Sequence, residues 1–284
     1  MAKFQDTNGE IQSYTVGVYV SAHIADLLAS CTSFLCFEKH SKPIGEIVMS
    51  LADDVKNDVD SIISKEWNIR DGQVVPATDD ITLSGGAVKL DATILYADLA
   101  DSTDLAMNYD RRVAAKVFKC YLSSCSRIIK HFGGEIRSFD GDRVMGVFVG
   151  GSKNSDAAKT ALKINGAFLK IIKPKLETKY PSLKSGSFKL AQCVGVDTSE
   201  VLVVRGGVRK DNDLVWVGRA PNIAAKLSSR RNSPYHSYIS KEVFNRLSDD
   251  SKKASDGRTM WEELSSNNNV NGVTLYRSSW WWNL

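Results

Sequence analysis

Two strand-like apolar runs, Glu135 to Phe139 and Val144 to Val149, meet at Asp140-Gly141, and this junction constrains the fold more than any other stretch of the 284 residues. A glycine between two such runs is a reversal signal, so the chain must turn back on itself there. Reading outward, Leu90 to Ala97 has strand character, and Thr103 to Phe132 reads as one long helix stopped at Gly133-Gly134. Ser155 to Ile172 predicts a second helix, stopped by Pro174, and Phe188 to Val196 a further strand. The order is β-α-β-β-α-β, the ferredoxin-like split unit of an α/β (α+β) chain.

The flanks are read in the same way. Leu51, Val55, Val59, Ile62, Ile63 and Trp67 recur at helical spacing among acids and lysines, which predicts an amphipathic helix between Met49 and Trp67. Arg70 to Gly86, with Pro76 and Gly85-Gly86, reads as an irregular or hairpin connection. Glu200 to Arg205 and Asp213 to Val217 predict a hairpin across Gly206-Gly207, followed by a helix from about Ala220 to Arg231 with Pro221 in its first turn. Trp280-Trp281-Trp282 is expected to form a covering strand packed on the core. Three segments follow: an N-terminal extension over 1–48, a helix and connector over 49–88, and a catalytic domain over 89–284.

Composition narrows the class. A chain with 43% apolar and 25% charged residues can bury a full core. The net charge of +4 suits a small anionic substrate and falls short of a nucleic-acid stripe, so no nucleic-acid partner is expected. Tyr14 to Phe37 is apolar, but His23, Asp26 and several Ser and Thr make stable membrane insertion costly. Cys31, Cys36, Cys120, Cys125 and Cys193 are odd in number and lack metal-ligand spacing, which fits buried thiols in a reducing cytoplasm.

The chemistry concentrates where apolar runs end in carboxylates. In Leu95-Tyr96-Ala97-Asp98-Leu99-Ala100-Asp101-Ser102-Thr103, strand alternation puts Tyr96 and Asp98 on one side. Backbone N–H groups around Ala100 to Thr103, at a helix start, are placed to cradle phosphates, while Asp101 and Ser102 also read as helix caps. Asp142, in Phe139-Asp140-Gly141-Asp142-Arg143, is the second carboxylate, with Asp140 as its rival. Two hard oxygen ligands on loops beside a sheet suit Mg²⁺ or Mn²⁺ holding a nucleoside triphosphate. Asn222 and Lys226 are spaced to share one helix face, an amide donor beside a cation suited to a ribose and a transferring phosphate.

These motifs resemble the class III nucleotide cyclases over about Leu90 to Tyr276. The resemblance implies a head-to-tail homodimer with composite sites. Asp98, the Leu99 backbone carbonyl and Asp142 would bind two divalent metal ions, and Asn222 with Lys226, in Gly218-Arg219-Ala220-Pro221-Asn222-Ile223-Ala224-Ala225-Lys226, would come from the partner. Where adenylate cyclases typically have Lys and Asp, and guanylate cyclases Glu and Cys, to read the purine, this chain has Ser138 and Val215. The family's usual Arg is Lys226 here, a point charge in place of a fork.

Tyr96 is bulky enough to shorten a base pocket to one ring, or else packs against the second helix. Trp67, Arg70, Val75-Pro76 and the terminal Arg277-Ser278-Ser279-Trp280-Trp281-Trp282 extend the likeness to the pyrimidine cyclases of bacterial Pycsar antiphage systems, and among these to the uridylate cyclases. That implies conversion of UTP to 3′,5′-cyclic UMP and pyrophosphate, with the product acting on a separate effector protein. The alternatives are a cytidylate cyclase using CTP and a non-catalytic nucleotide-binding sensor. Gly133-Gly134-Glu135-Ile136 lacks the second acid and the Phe of the diguanylate cyclase signature, and its glycines serve a helix stop. The resemblance begins near Met49, so translation from Met49 is expected.

Overall fold

The computed structural model of the protein describes residues 2–5, 11–14, 50–186 and 188–284. Residues 1–51 and 52–284 are two compact units. In the first, β1 (Ala2–Gln5) pairs antiparallel with β2 (Ile11–Tyr14). The expectations on the apolar stretch after Tyr14, on Cys31 and Cys36, and on Met49 lie outside the described residues. Among the described residues, no helix is long and apolar enough to cross a membrane.

The second unit is built on a twisted sheet whose centre is β4 (Gly86–Leu99), flanked by β6 (Arg143–Phe148) and β7 (Gln192–Val208), with β5 (Glu135–Asp140) outside β6. The sheet order β7-β4-β6-β5, antiparallel throughout, is the ferredoxin-like order expected from the sequence. Because β4 is central, its side chains are buried on both faces. Leu95, Ala97 and Leu99 join the larger core, under α3 (Arg111–His131) and α4 (Lys153–Ala167). Leu90, Ala92 and Ile94 join a smaller one under α7 (Arg219–Ser228).

Several boundaries differ from those expected. The helix predicted over 103–132 is two, α2 (Ser102–Asn108) and α3, because the Asp110 carboxylate accepts from Arg112 N at 2.8 Å and starts a new helix. Pro174 does not stop the helix before it. The chain widens into a π turn over Phe168–Ile172, where Lys173 N–H reaches back to Phe168 O, and continues as α5 (Lys173–Lys179) with the proline ring in its first turn. A four-residue helix, α6 (Ser182–Ser185), follows.

The strands predicted at 188–196 and 200–205 are one continuous strand, β7, and the reversal to β8 (Asp211–Gly218) falls at Arg209-Lys210, where Lys210 takes the positive φ (78°). Gly206 and Gly207 sit inside the ladder instead. The segment 70–86 is more regular than expected, since β3 (Asn68–Asp71) pairs parallel with the start of β4. The helix predicted over 220–231 ends at Ser228.

Past α7, β9 (Ser237–Ser240), β11 (Leu275–Ser278) and β10 (Glu262–Glu263) extend the sheet beyond β7 in that order, with α8 (Lys241–Asn245) and α9 (Asp249–Lys252) between β9 and β10 in the chain. The tryptophan tail packs on the core without forming a strand. Trp282 N–H donates to Leu162 O at 3.1 Å, and the Trp280 carbonyl accepts from Asn165 Nδ2 at 2.9 Å. The amphipathic helix is present as α1 (Leu51–Ser64), with every residue exposed, its apolar stripe included.

Candidate active site

At the end of β4, alternation turns Tyr96 and Asp98 to the α7 side of the sheet. The Asp98 side chain is 13% exposed, and its Oδ2 accepts from Arg231 Nη2 at 3.3 Å. The same nitrogen donates to the Leu99 carbonyl at 3.2 Å. Asp142 follows Gly141 in the two-residue loop between β5 and β6, with Gly141 at φ +61°, the pattern of a tight hairpin turn with Gly first. Its Oδ2 is buried and has no hydrogen-bond partner.

Asp140, the rival, lines the same cleft as Asp98 and Asp142 but is paired there with Arg143, accepting from its Nη2 at 2.5 Å. Asp98, Leu99 and Asp142 line one cleft of about 410 Å³ with Ser102, Thr103 and Arg231. Burial, then the neighbouring Asp142 carboxylate, raises the Asp98 pKa above the ordinary carboxylate value, with Arg231 and Arg143 opposing.

This donor set fits a hard divalent cation. It offers two carboxylates and a backbone carbonyl, one carboxylate oxygen is buried and unpartnered, and a guanidinium already bridges the other carboxylate to the carbonyl. Among the described residues there is no group of three His, Cys, Asp or Glu that would complete a protein-only cage. Further oxygens must come from substrate or water. Of the residues whose N–H groups are expected to cradle phosphates, Ser102 and Thr103 line the cleft, whereas Ala100 N–H is spent on Ala191 O at 2.9 Å. Asp101 occupies the N-cap position of α2 at φ 53° without a side-chain capping bond, contrary to the capping expected of it.

Tyr96 packs away from the second helix, on the opposite face of the sheet, where its hydroxyl donates to Met145 Sδ at 3.2 Å and the Arg143 guanidinium lies 5.2 Å from the ring centre. Register places Tyr96 opposite Met145 and Met145 opposite Ser138, so Ser138 stands in the same row across three strands. Val215 does not join them. It lies on β8, paired with Val204 of β7, towards the other end of β4.

α7 is held over the sheet at two points. Arg219 makes a two-pronged bond to the fully buried Asp197 (3.1 and 3.1 Å), and a Cβ at Gly195 would lie 2.2 Å from Ala224 O, so only glycine admits the helix this close. Asn222 and Lys226 are exposed on α7. Asn222 Nδ2 donates to Gly218 O at 3.1 Å, Lys226 Nζ to Asn271 Oδ1 at 3.2 Å, and neither lines the cleft of Asp98 and Asp142 within the protomer.

Sequence reasoning missed two arginines. Arg143, next to the Gly-Asp turn, was legible as a neighbour of the site. Arg231 lies in a loop after α7, and no spacing announces it. Of the described thiols, Cys125 and Cys193 are buried with burial pushing their pKa to about 12, as expected of inert core cysteines, whereas Cys120 is exposed.

No protein-family model matches the chain. A uridylate cyclase of Rhodovulum sp. is 47% identical over 234 residues, 82% of this chain and 98% of its own length. One of Xanthomonas perforans is 41% identical over 237 residues, 83% of this chain and all of its own. Among solved structures, a bacterial light-regulated adenylyl cyclase superposes with a TM-score of 0.57 at 23% identity, over 69% of this chain and 53% of that one. The adenylyl cyclase CyaB from P. aeruginosa gives 0.52 at 20% identity, over 68% and 95%. These two share the fold, and the curated relatives align over more than four-fifths of the sequence at 41 to 47% identity: the chain belongs to the uridylate cyclase family.

Proposed function

We propose that the protein converts UTP to 3′,5′-cyclic UMP and pyrophosphate. The 47% identity to a uridylate cyclase over 82% of the chain carries this reading, and the cleft of Asp98 and Asp142 supports it. In the reaction the ribose O3′ forms a bond to the α-phosphorus in line with the departing bridging oxygen. That oxygen leaves on pyrophosphate, and the hydroxyl proton passes to solvent. Asp98, Asp142 and the Leu99 carbonyl would hold two divalent ions, Mn²⁺ or Mg²⁺. When bound, these would supply acidification of the 3′-hydroxyl and neutralisation of the triphosphate.

The remaining roles belong to side chains. Tyr96, fixed by Met145 and Arg143, limits the base pocket to one ring, with Ser138 in the same row. Asn222 orients the ribose and Lys226 stabilises charge on the transferring phosphoryl group, both supplied by a second copy in a head-to-tail homodimer. Their exposure away from the cleft supports this, as do the exposed Phe139 (56%), Val217 (53%) and Val215 (48%), which a partner would cover. Val215 reaches a base only across that interface. Residues 89–284 form the catalytic domain, 49–88 its helical connector and 1–48 an extension. The enzyme works in the cytoplasm, and its product serves as a messenger for a separate effector protein.

Purified protein incubated with Mn²⁺ and each of ATP, GTP, CTP and UTP, with products resolved by mass, tests the reaction. Cyclic UMP, absent with Asp98→Ala, is expected; cyclic CMP in its place, or no turnover of any nucleotide, overturns the reading. For the dimer, an Asp98→Ala chain mixed with an Asn222→Ala chain should regain activity, and the composite site fails if it does not.

A further inference from the structure

Arg231 stands where the metal reading puts a cation. One nitrogen, Nη2, donates both to Asp98 Oδ2 (3.3 Å) and to the Leu99 carbonyl (3.2 Å). The other, Nη1, is anchored on the Ser228 carbonyl at the end of α7 (2.8 Å) and on the Arg230 carbonyl (3.1 Å). The guanidinium is thus a strut between the donor strand and the helix that carries Asn222 and Lys226. A divalent ion sits roughly 2.0 to 2.6 Å from its oxygen ligands. Nη2 already lies between the same two oxygens, so ion and guanidinium exclude each other there.

We propose that Arg231 is a positioning residue that holds Asp98 and the Leu99 carbonyl together as an internal stand-in cation, and that the first divalent ion must displace it. The inference rests on the metal-binding reading above. Without Arg231, two carboxylates would face each other with no counter-charge in contact, and the end of β4 would be free to splay. With it, the donors are gathered before the ion arrives, and the ion binds more weakly than bare carboxylates would bind it. Displacement also takes the guanidinium from Ser228 O, so occupancy of the donor strand is felt at the end of α7.

Mn²⁺ binding to the full chain without nucleotide, followed by electron paramagnetic resonance of the free ion, tests this without reference to turnover. Loss of Mn²⁺ binding in Asp142→Ala checks the underlying reading; binding that ignores this substitution overturns the metal site and the inference with it. Given that loss, Arg231→Met is expected to bind Mn²⁺ about tenfold more tightly than the native chain, the scale of one hydrogen bond to a charged group. Arg143→Met removes an arginine from the same cleft that touches neither Asp98 nor the Leu99 carbonyl in the protomer, and reports the long-range field alone. A gain there equal to that of Arg231→Met, or no gain in Arg231→Met, overturns the proposal. If Arg231→Met does not fold, the native Arg231 Nε–H resonance titrated with Mg²⁺ decides: it should shift and saturate with the metal, and an unmoved resonance refutes displacement.

Discussion

The two faces of the central sheet are put to different uses. On one, Leu95, Ala97 and Leu99 of β4 lie beneath α3 and α4 in a continuous apolar core that includes Tyr121, Phe168 and Leu162. On the other, Tyr96 and Asp98 of the same strand meet Met145, two arginines and a single covering helix, and polar groups remain exposed. Strand alternation sends neighbouring residues to opposite faces, so the larger apolar core lies on one face and the candidate site on the other. The contrast predicts that substitutions separate cleanly into those that remove activity and those that remove stability.

The largest effect should come from Asp98→Ala, with cyclase activity reduced about a thousandfold or more, the scale of losing metal-assisted charge stabilisation. Thermal unfolding should show no matching loss. Burial raises the Asp98 pKa, so its ionised form is disfavoured in the fold, and above the carboxylate range its removal relieves the structure; the relief should fade as the pH falls below that range. A large drop in unfolding temperature would break the division of labour. Phe168→Ala, across the sheet, should cost about 3 to 5 kcal/mol in urea unfolding, since the ring is 1% exposed and meets Tyr121 edge-on at 6.2 Å between centres. The base preference of the remaining folded protein should not change.

Gly195→Ala sits on the seam between the two behaviours. Its new methyl meets Ala224 O, so a loss of roughly 1 to 3 kcal/mol is expected. Activity should fall further than stability explains, because α7 carries Asn222 and Lys226. The smallest effect is expected for Arg143→Met, which frees the Tyr96 ring on one side at about 0.5 to 1 kcal/mol. A two- to fivefold erosion of the preference for UTP over purine nucleotides, measured as the ratio of kcat/KM values, would sharpen the assignment of Tyr96; an unchanged ratio would count against it.

What was legible in the sequence was what local periodicity governs. The ferredoxin-like order, the placement of Asp98 beside Tyr96 and the turn presenting Asp142 follow from alternation and from one glycine. Boundaries failed where a tertiary contact overrode a local rule. Pro174 was absorbed by a π turn, and Gly206-Gly207 stayed in a ladder because the pairing of β7 with β8 continues past them. Arg231 was invisible for a different reason: its meaning depends on a loop returning from α7 to the end of β4, a closure that no spacing encodes. Asn222 and Lys226 share an exposed helix face as their spacing predicts, and they stand apart from the protomer's own cleft; spacing carries no sign of that separation, which only the family resemblance implied.

The close approach at Gly195 sets a limit on how a protein of this design can change. Because the seat of α7 is defined by an atom that is absent, position 195 admits no gradual variation: every other amino acid brings the same first carbon. Tyr96, half-buried and directly opposite Gly195 on β4, has no such restriction, and neither has Ser138 two strands further along the row. On the proposal that this row faces the base, drift in the choice of base proceeds one side chain at a time along it, while the spacing of sheet and helix stays fixed.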